Sequence, residues 1–216
     1  MTDVPLPGAA WTAWHRLGTT LTASPGVHRP TEFSGLLAST LSDVWGRTVL
    51  DAGCGAGLIT VAALSAGATH VVALDRDEAA LRDTAANVER LLGASARDRL
   101  SLWQADFTQL GVLDADVLAV NPPQRPSHLL DAVEPEDRHL HDGGGRDGLD
   151  GLRLVLDHAR CHEVRTTAAD VLPLETLRRA PRRLATASLP VHPSWLPLVQ
   201  AEEAKVSVWA FDRSAG

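Results

Sequence analysis

Three acids and one amide, Asp51, Asp75, Asp106 and Asn121, each stand at or just past the end of a short apolar run. All four side chains carry oxygens that accept hydrogen bonds, so together they could read the donors of a polar ligand. Asp51 closes the run Val49–Leu50 and is followed by Gly53, Gly55 and Gly57 alternating with small residues, VLDAGCGAG over 49–57. Glycine tolerates positive φ and has no Cβ, so such a turn lets backbone N–H groups approach a ligand closely. A dinucleotide fingerprint requires a glycine three positions after Gly55, where Leu58 stands, and a phosphate loop requires Gly-Lys-Ser/Thr, which is absent. An acid beside the turn instead suits a ligand that is positively charged where a dinucleotide carries its pyrophosphate.

Asp75 ends the second run, HVVAL over 70–74, and suits the paired hydroxyls of a ribose, although a solvated turn acid fits its position as well. Asp106 follows a third run and could accept from an exocyclic amine such as that of adenine; an exposed loop acid fits equally. Asn121 follows a fourth run and precedes Pro122-Pro123-Gln124, whose prolines end any ladder and present its carboxamide at the carboxyl end of a strand. His139, His141 and Asp142, or His158, Cys161 and His162, have zinc-compatible spacing, but neither set has a second supporting pair, and surface or capping histidines account for them. No metal is therefore expected. A Gly-x-Ser-x-Gly elbow is missing, and neither cysteine has a histidine placed to activate it, so covalent catalysis has no support.

Strands and helices must hold those four residues in place. Trp11, Trp14 and Leu17 have the spacing of one helical face and read as core anchors. Pro25-Gly26 turns the chain, and Thr31 caps a helix that the spacing of Phe33, Leu36, Leu37, Leu41 and Val44 carries to residue 44. Strand, glycine turn, helix and strand then occupy 49–75, a helix with Leu81, Ala85, Val88 and Leu92 on one face spans 79–92, and further strands fall at 99–103 and 116–120. Residues 126–145 read as a long polar loop or lid, Gly143 to Gly148 as a flexible turn, and Leu149, Leu152, Val155 and Leu156 as a helix face. Later strands are expected at 163–167, 184–189 and 205–211, with Trp195 in a proline-rich connection that could line a pocket. Strands alternating with helices imply an α/β fold with a mainly parallel sheet covered on both faces.

The chain of 216 residues suits one core domain, 48–216, preceded by a helical and covering segment, 1–47. A net charge of −7 argues against a nucleic-acid backbone as partner. Two cysteines make no disulfide framework, and neither a signal pattern nor an apolar run of membrane-spanning length occurs, so a cytoplasmic protein, monomer or homodimer, is expected.

In this order, VLDAGCGAG, ALDRD, QAD and NPP resemble the motifs of the class I S-adenosylmethionine-dependent methyltransferases. The segments SPGVHRPTEFSGLL (24–37), VEP (133–135) and GGRDGLDGLR (144–153) further resemble the release factor glutamine N5-methyltransferase family and its small relatives, and the likeness covers about residues 24–156. The resemblance implies a Rossmann-like fold with a seven-stranded sheet and S-adenosyl-L-methionine as cofactor. It implies that Asp51, Gly53, Cys54 and Gly55 surround the methionine end, that Asp75 and Arg76 lie at the ribose and Asp106 and Phe107 at the adenine, and that Ser34 brings a hydroxyl near the cofactor. Asn121 and the Pro122 carbonyl would be the catalytic acceptors for the substrate N–H groups, with Pro123, Gln124 and Trp195 on the acceptor side. Methyl transfer from a sulfonium is an in-line displacement on an activated donor, so alignment and exclusion of water suffice.

Two departures separate this chain from the family pattern. Gln124 stands where the family has an aromatic residue, and the lead before Ser24 is too short for the family's helical recognition domain. Both favour a small molecule, an amino acid or a peptide or protein amide as acceptor, with Trp11, Trp14 and Trp195 available as a replacement wall. Two alternatives remain: a non-catalytic cofactor-binding partner subunit, and an enzyme that uses the sulfonium for a different reaction.

Overall fold

The computed structural model describes residues 3–132, 143–191 and 193–213. Two helices, α1 (Trp11–Gly18) and α2 (Glu32–Ser39), precede an alternating series: β1 (Thr48–Ala52), α3 (Leu58–Ser65), β2 (His70–Asp75), α4 (Glu78–Leu92), the single turn α5 (Ala94–Arg97), β3 (Leu100–Gln104) and β4 (Val117–Val120). Then follow α6 (Asp150–His158), β5 (Glu163–Ala169), β6 (Arg182–Pro190), the short α7 (Leu196–Val199) and β7 (Glu203–Asp212). One seven-stranded sheet runs in the order β3-β2-β1-β4-β5-β7-β6, with β1 to β5 parallel and β7 antiparallel to both its neighbours. The strand order reverses beside β1, so the carboxyl ends of β1, β2 and β4 open onto the crevice where sheets of this kind bind ligands.

The central strands are apolar on both faces, as buried parallel strands must be. Val49, Val71, Ala73, Val117 and Ala119 face one core with α1, α2, α3 and α4. Leu50, Leu74, Leu118 and Val120 face the other, where α6 packs through Leu152, Val155 and Leu156.

Three expectations are corrected. The α2 helix stops at Ser39 and not at residue 44; Leu41 and Val44 are buried from the turns that follow. There the Asp43 carboxylate and the Thr40 carbonyl accept from Arg165, a buried β5 guanidinium also paired with Glu163, so side-chain bonding takes over from the helix ladder. Second, the buried side of α4 is not only apolar: Asp83, Thr84 and Asn87 are buried with Leu81 and Val88. Third, Gly143 to Gly148 is not a loose turn. A Cβ on Gly144 would lie 2.3 Å from the Arg125 carbonyl oxygen, and one on Gly148 2.5 Å from that of Gln124, so these glycines let two backbone segments touch. The expected VEP segment, His139, His141 and Asp142 lie outside the described residues, as does much of the 126–145 loop.

Candidate cofactor and acceptor site

A cavity of about 1130 Å³ opens along the carboxyl ends of the parallel strands. Its lining includes Asp51, Gly53, Cys54, Gly55, Asp75, Arg76, Asp106, Phe107, Asn121, Pro122, Pro123, Gln124 and Trp195, together with Ser34 from α2. Residues from separate strand ends and from the lead are thereby gathered on one space.

The glycine turn is built differently from the sequence expectation. Gly53 and Cys54 N–H both donate to the Leu74 carbonyl, at 2.7 and 3.0 Å, Gly55 N–H to Asp75 at 3.0 Å and Gly57 N–H to the Cys54 carbonyl at 2.8 Å. Those four donors are committed inside the protein, so they do not cradle an anion. The glycines serve sterically: Gly53, Gly55 and Gly57 have φ of +77°, +52° and +90°, and a Cβ on Gly57 would sit 2.9 Å from the Thr84 Cα. What the turn offers a ligand is acid, which favours a cationic group over a phosphate.

Asp51 is 2 % exposed, and one of its oxygens accepts from the Thr60 N–H at 3.0 Å and hydroxyl at 2.6 Å. That N–H belongs to the first turn of α3, whose donors have no partner within the helix. Burial disfavours the charged form and pushes the Asp51 carboxyl up to about 7, with the Thr60 bonds opposing the shift. Burial also raises the Cys54 thiol well above its ordinary range. Asp75 accepts from Gly55 N–H on one oxygen and from Asp77 N–H at 3.0 Å on the other, which leaves each oxygen a further lone pair. The Arg76 carbonyl accepts from Gln104 at 3.2 Å, tying the end of β2 to β3. Asp106 is exposed and caps a short 3₁₀ turn, one oxygen accepting from the N–H and hydroxyl of Thr108, bonds that lower its carboxyl. Beside it the Phe107 ring faces Gly53, where an added Cβ would lie 3.6 Å from the ring.

Sequence reading missed the polar seam that holds this half together. Asn87 donates to the Thr22 and Ala56 carbonyls at 2.8 and 3.0 Å and accepts from Thr22 N–H at 3.1 Å. Asp83 accepts from the Ser24 N–H at 2.6 Å and hydroxyl at 2.9 Å, and the Thr84 hydroxyl donates to the Gly55 carbonyl at 3.0 Å. One face of α4 therefore pins both the glycine turn and the segment leading to Gly26, Val27, His28 and Pro30, which line the cavity. Polar residues at helical spacing within an apolar stripe were the available signal. Ser34 lines the same cavity, and its hydroxyl accepts from Thr31 N–H at 3.3 Å, closing the start of α2.

On the acceptor side, the Asn121 carboxamide oxygen accepts from the Thr167 hydroxyl at 2.6 Å. Gln124 is 8 % exposed and its amide donates to the Thr167 carbonyl at 2.5 Å, so the residue in the aromatic position turns back onto β5. Trp195 is half-buried, and the Arg125 guanidinium stacks over its ring at 5.3 Å. Trp14 is buried in the core, and Trp11 packs on it from α1. The His158 Nδ1 lies 2.9 Å from the Leu154 carbonyl oxygen, and Cys161 is buried with its thiol pushed up to about 11; among the described residues no three metal-ligating side chains converge.

The family model for ribosomal protein L11 methyltransferase, PrmA, matches residues 25–121. A ribosomal protein L11 methyltransferase of Xanthomonas axonopodis pv. citri is 43% identical over 154 residues, 68% of this chain and 47% of that protein. A Methanocaldococcus jannaschii protein provisionally named as a protein N5-glutamine methyltransferase is 30% identical over 135 residues, 62% of this chain and 66% of its own length. The chain thus spans about half to two thirds of these curated relatives. Among solved structures, a chain of the E. cuniculi Mtq2–Trm112 complex, responsible for methylation of the eRF1 termination factor, superposes with a TM-score of 0.56 at 20% identity, covering 87% of this chain and 99% of that one. The relatives by sequence and the sheet order agree: the chain is similar to the class I S-adenosyl-L-methionine-dependent methyltransferases, a family whose cofactor is S-adenosyl-L-methionine.

Proposed function

We propose that this chain transfers the methyl group of S-adenosyl-L-methionine to a nitrogen, most simply a carboxamide or amine nitrogen of a protein, peptide or free amino acid. The carrying observation is that one cavity is lined both by the acids of the strand ends and by the Asn121-Pro122 turn. Its volume of about 1130 Å³ exceeds the roughly 300–1,000 Å³ usual for a single small ligand, which leaves room for a cofactor and an acceptor together. Relatives named for methylating ribosomal protein L11 and protein glutamine support a nitrogen of a protein as acceptor.

The bound cofactor supplies an activated methyl on a sulfonium. Asp51 accepts from the cationic methionine end, with Gly53, Cys54 and Gly55 as its floor and Ser34 on the α2 side. Asp75 takes the ribose hydroxyls beside Arg76, and Asp106 takes the adenine amine beside Phe107. The Asn121 oxygen and the Pro122 carbonyl accept the N–H groups of the acceptor, which turns the nitrogen lone pair toward the methyl. Pro123, Gln124 and Trp195 border that acceptor space.

Calorimetry with S-adenosylhomocysteine, followed by mass spectrometry of ribosomal protein L11, glutamine-bearing peptides and free amines after incubation with S-adenosylmethionine, tests this reading. Asn121→Ala is expected to keep the cofactor affinity within about twofold and to lower turnover at least about 100-fold, because alignment carries most of the rate. A fully active Asn121→Ala refutes the assigned role. Tight cofactor binding with methyl transfer to none of these acceptors favours a partner subunit, and loss of the aminocarboxypropyl group from the cofactor favours different chemistry.

A further inference from the structure

We propose that Thr167 on β5 is the positioning residue of the acceptor site, setting the orientation of the Asn121 carboxamide through its hydroxyl and of Gln124 through its carbonyl. The inference rests on the reading that Asn121 orients the acceptor nitrogen. The register of the sheet builds this arrangement: β4 pairs with β5 so that Val120 lies beside Thr166, and the next residue along each strand, Asn121 and Thr167, are neighbours. Thr167 is fully buried, 0 % exposed, and its hydroxyl donates to the Asn121 oxygen at 2.6 Å. Its carbonyl oxygen accepts from the Gln124 amide at 2.5 Å. Both ends of Asn121-Pro122-Pro123-Gln124 are therefore held by one residue, and the two prolines between them fix the backbone.

An amide oxygen has two lone pairs. With one held by Thr167, the other has a fixed direction, and Asn121 lines the cavity. A carboxamide without that anchor would rotate about its terminal torsion, whose minima are broad. Gln124 is buried because the same strand end accepts its amide, so the inward turn of Gln124 and the anchoring of Asn121 have one cause.

The sequence provides a clean test, because the chain has two asparagines, Asn87 and Asn121. The full chain labelled with ¹⁵N-asparagine gives two side-chain NH₂ pairs, and Asn87, held by Thr22 and Ala56, is an internal control. In Thr167→Ala the Asn121 pair is expected to shift and to exchange with water about fivefold faster, the weight of one neutral hydrogen bond, while the Asn87 pair holds still. Thr167→Ser, equally lacking the methyl but keeping the hydroxyl, restores the wild-type spectrum. Thr167→Val, which keeps the side-chain volume, behaves like Thr167→Ala and stands in for it if the smaller residue unfolds the chain. An Asn121 pair identical in all four proteins, or altered equally by Ser and Ala, overturns the proposal. With an acceptor that the wild type methylates, Thr167→Ala lowers kcat about fivefold at unchanged S-adenosylhomocysteine affinity, whereas an unchanged kcat overturns it. The spectra need no acceptor, so failure of the methyl-transfer reading is scored separately, by the turnover of Asn121→Ala.

Discussion

With the cationic methionine end placed at Asp51 as proposed, the buried carboxyl makes cofactor affinity a function of pH. Without ligand this carboxyl is raised to about 7 by burial, so at pH 6 about nine in ten copies carry a proton. A cationic methionine end prefers the ionised form. Binding below pH 7 must then release that proton, and affinity falls by a factor of one plus the protonated-to-ionised ratio. That is about tenfold at pH 6 and about 30-fold at pH 5.5, relative to full ionisation. The affinity should therefore rise from about pH 5.5 and level off above about pH 8. Calorimetry with S-adenosylhomocysteine in buffers of different ionisation enthalpy should read close to 0.9 proton released at pH 6. Asp51→Asn keeps an oxygen for the two Thr60 donors and should lose the acid limb. The stability of the unliganded protein moves in the opposite direction. A carboxyl raised in the folded state holds its proton more tightly there than when unfolded, so its contribution is lost as pH climbs from about 4 through about 7. A wild-type dissociation constant that is flat from pH 5.5 to 7, or an Asp51→Asn variant with the same acid limb, refutes this placement of the charge.

Two further substitutions probe the cofactor half. Asp75→Asn removes the charge and one of the two acceptor oxygens that now serve Gly55 and Asp77, and should weaken S-adenosylhomocysteine binding about 10- to 100-fold by calorimetry, the cost of losing one or two hydrogen bonds to a charged acceptor. Gly57→Ala places a Cβ at φ +90° and 2.9 Å from the Thr84 Cα; strain of about 2 kcal/mol should lower Tm by about 4–8 °C in scanning calorimetry.

The strand-end residues were legible because each stands at or just past the end of an apolar run. Asp51, Asp75 and Asn121 fall at the carboxyl ends of adjacent parallel strands, and spacing along the chain suffices to put them there. The glycine turn was legible as a turn, but not the use of its N–H groups, because Leu74 and Asp75 reach it from another strand. Thr167 was invisible for the same reason. In EVRTTAA two threonines at the end of a strand carry no local signal, and only the β4–β5 register shows which of them meets Asn121. Gln124 was readable as a departure from the family pattern but not as an inward-turned side chain. The stop of α2 at Ser39 also depended on a distant partner, Arg165, 122 positions beyond Asp43.

The two halves of the site are held by different parts of the fold. Asp83, Thr84 and Asn87 on α4 fix the glycine turn and the covering segment, and among the described residues none of them bonds to the Asn121–Gln124 turn. Thr167 on β5, together with the Gly144 and Gly148 backbone against Arg125 and Gln124, fixes the acceptor turn. The hydrogen bonds of the first set involve no residue of the second, so the cavity lining can be altered at Gln124, Arg125 or Trp195 without removing them. This separation gives a physical reason for a family pattern to persist through Asn121 and then depart at Gln124. The position of Asn121 is set by the sheet register, as the cofactor acids are, whereas Gln124 lies past two prolines, and the Thr167 carbonyl that holds it is offered by the backbone whatever side chain stands there. The departure at Gln124 therefore changes the cavity lining past Asn121 with no rearrangement of the strand ends that hold Asp51 and Asp75.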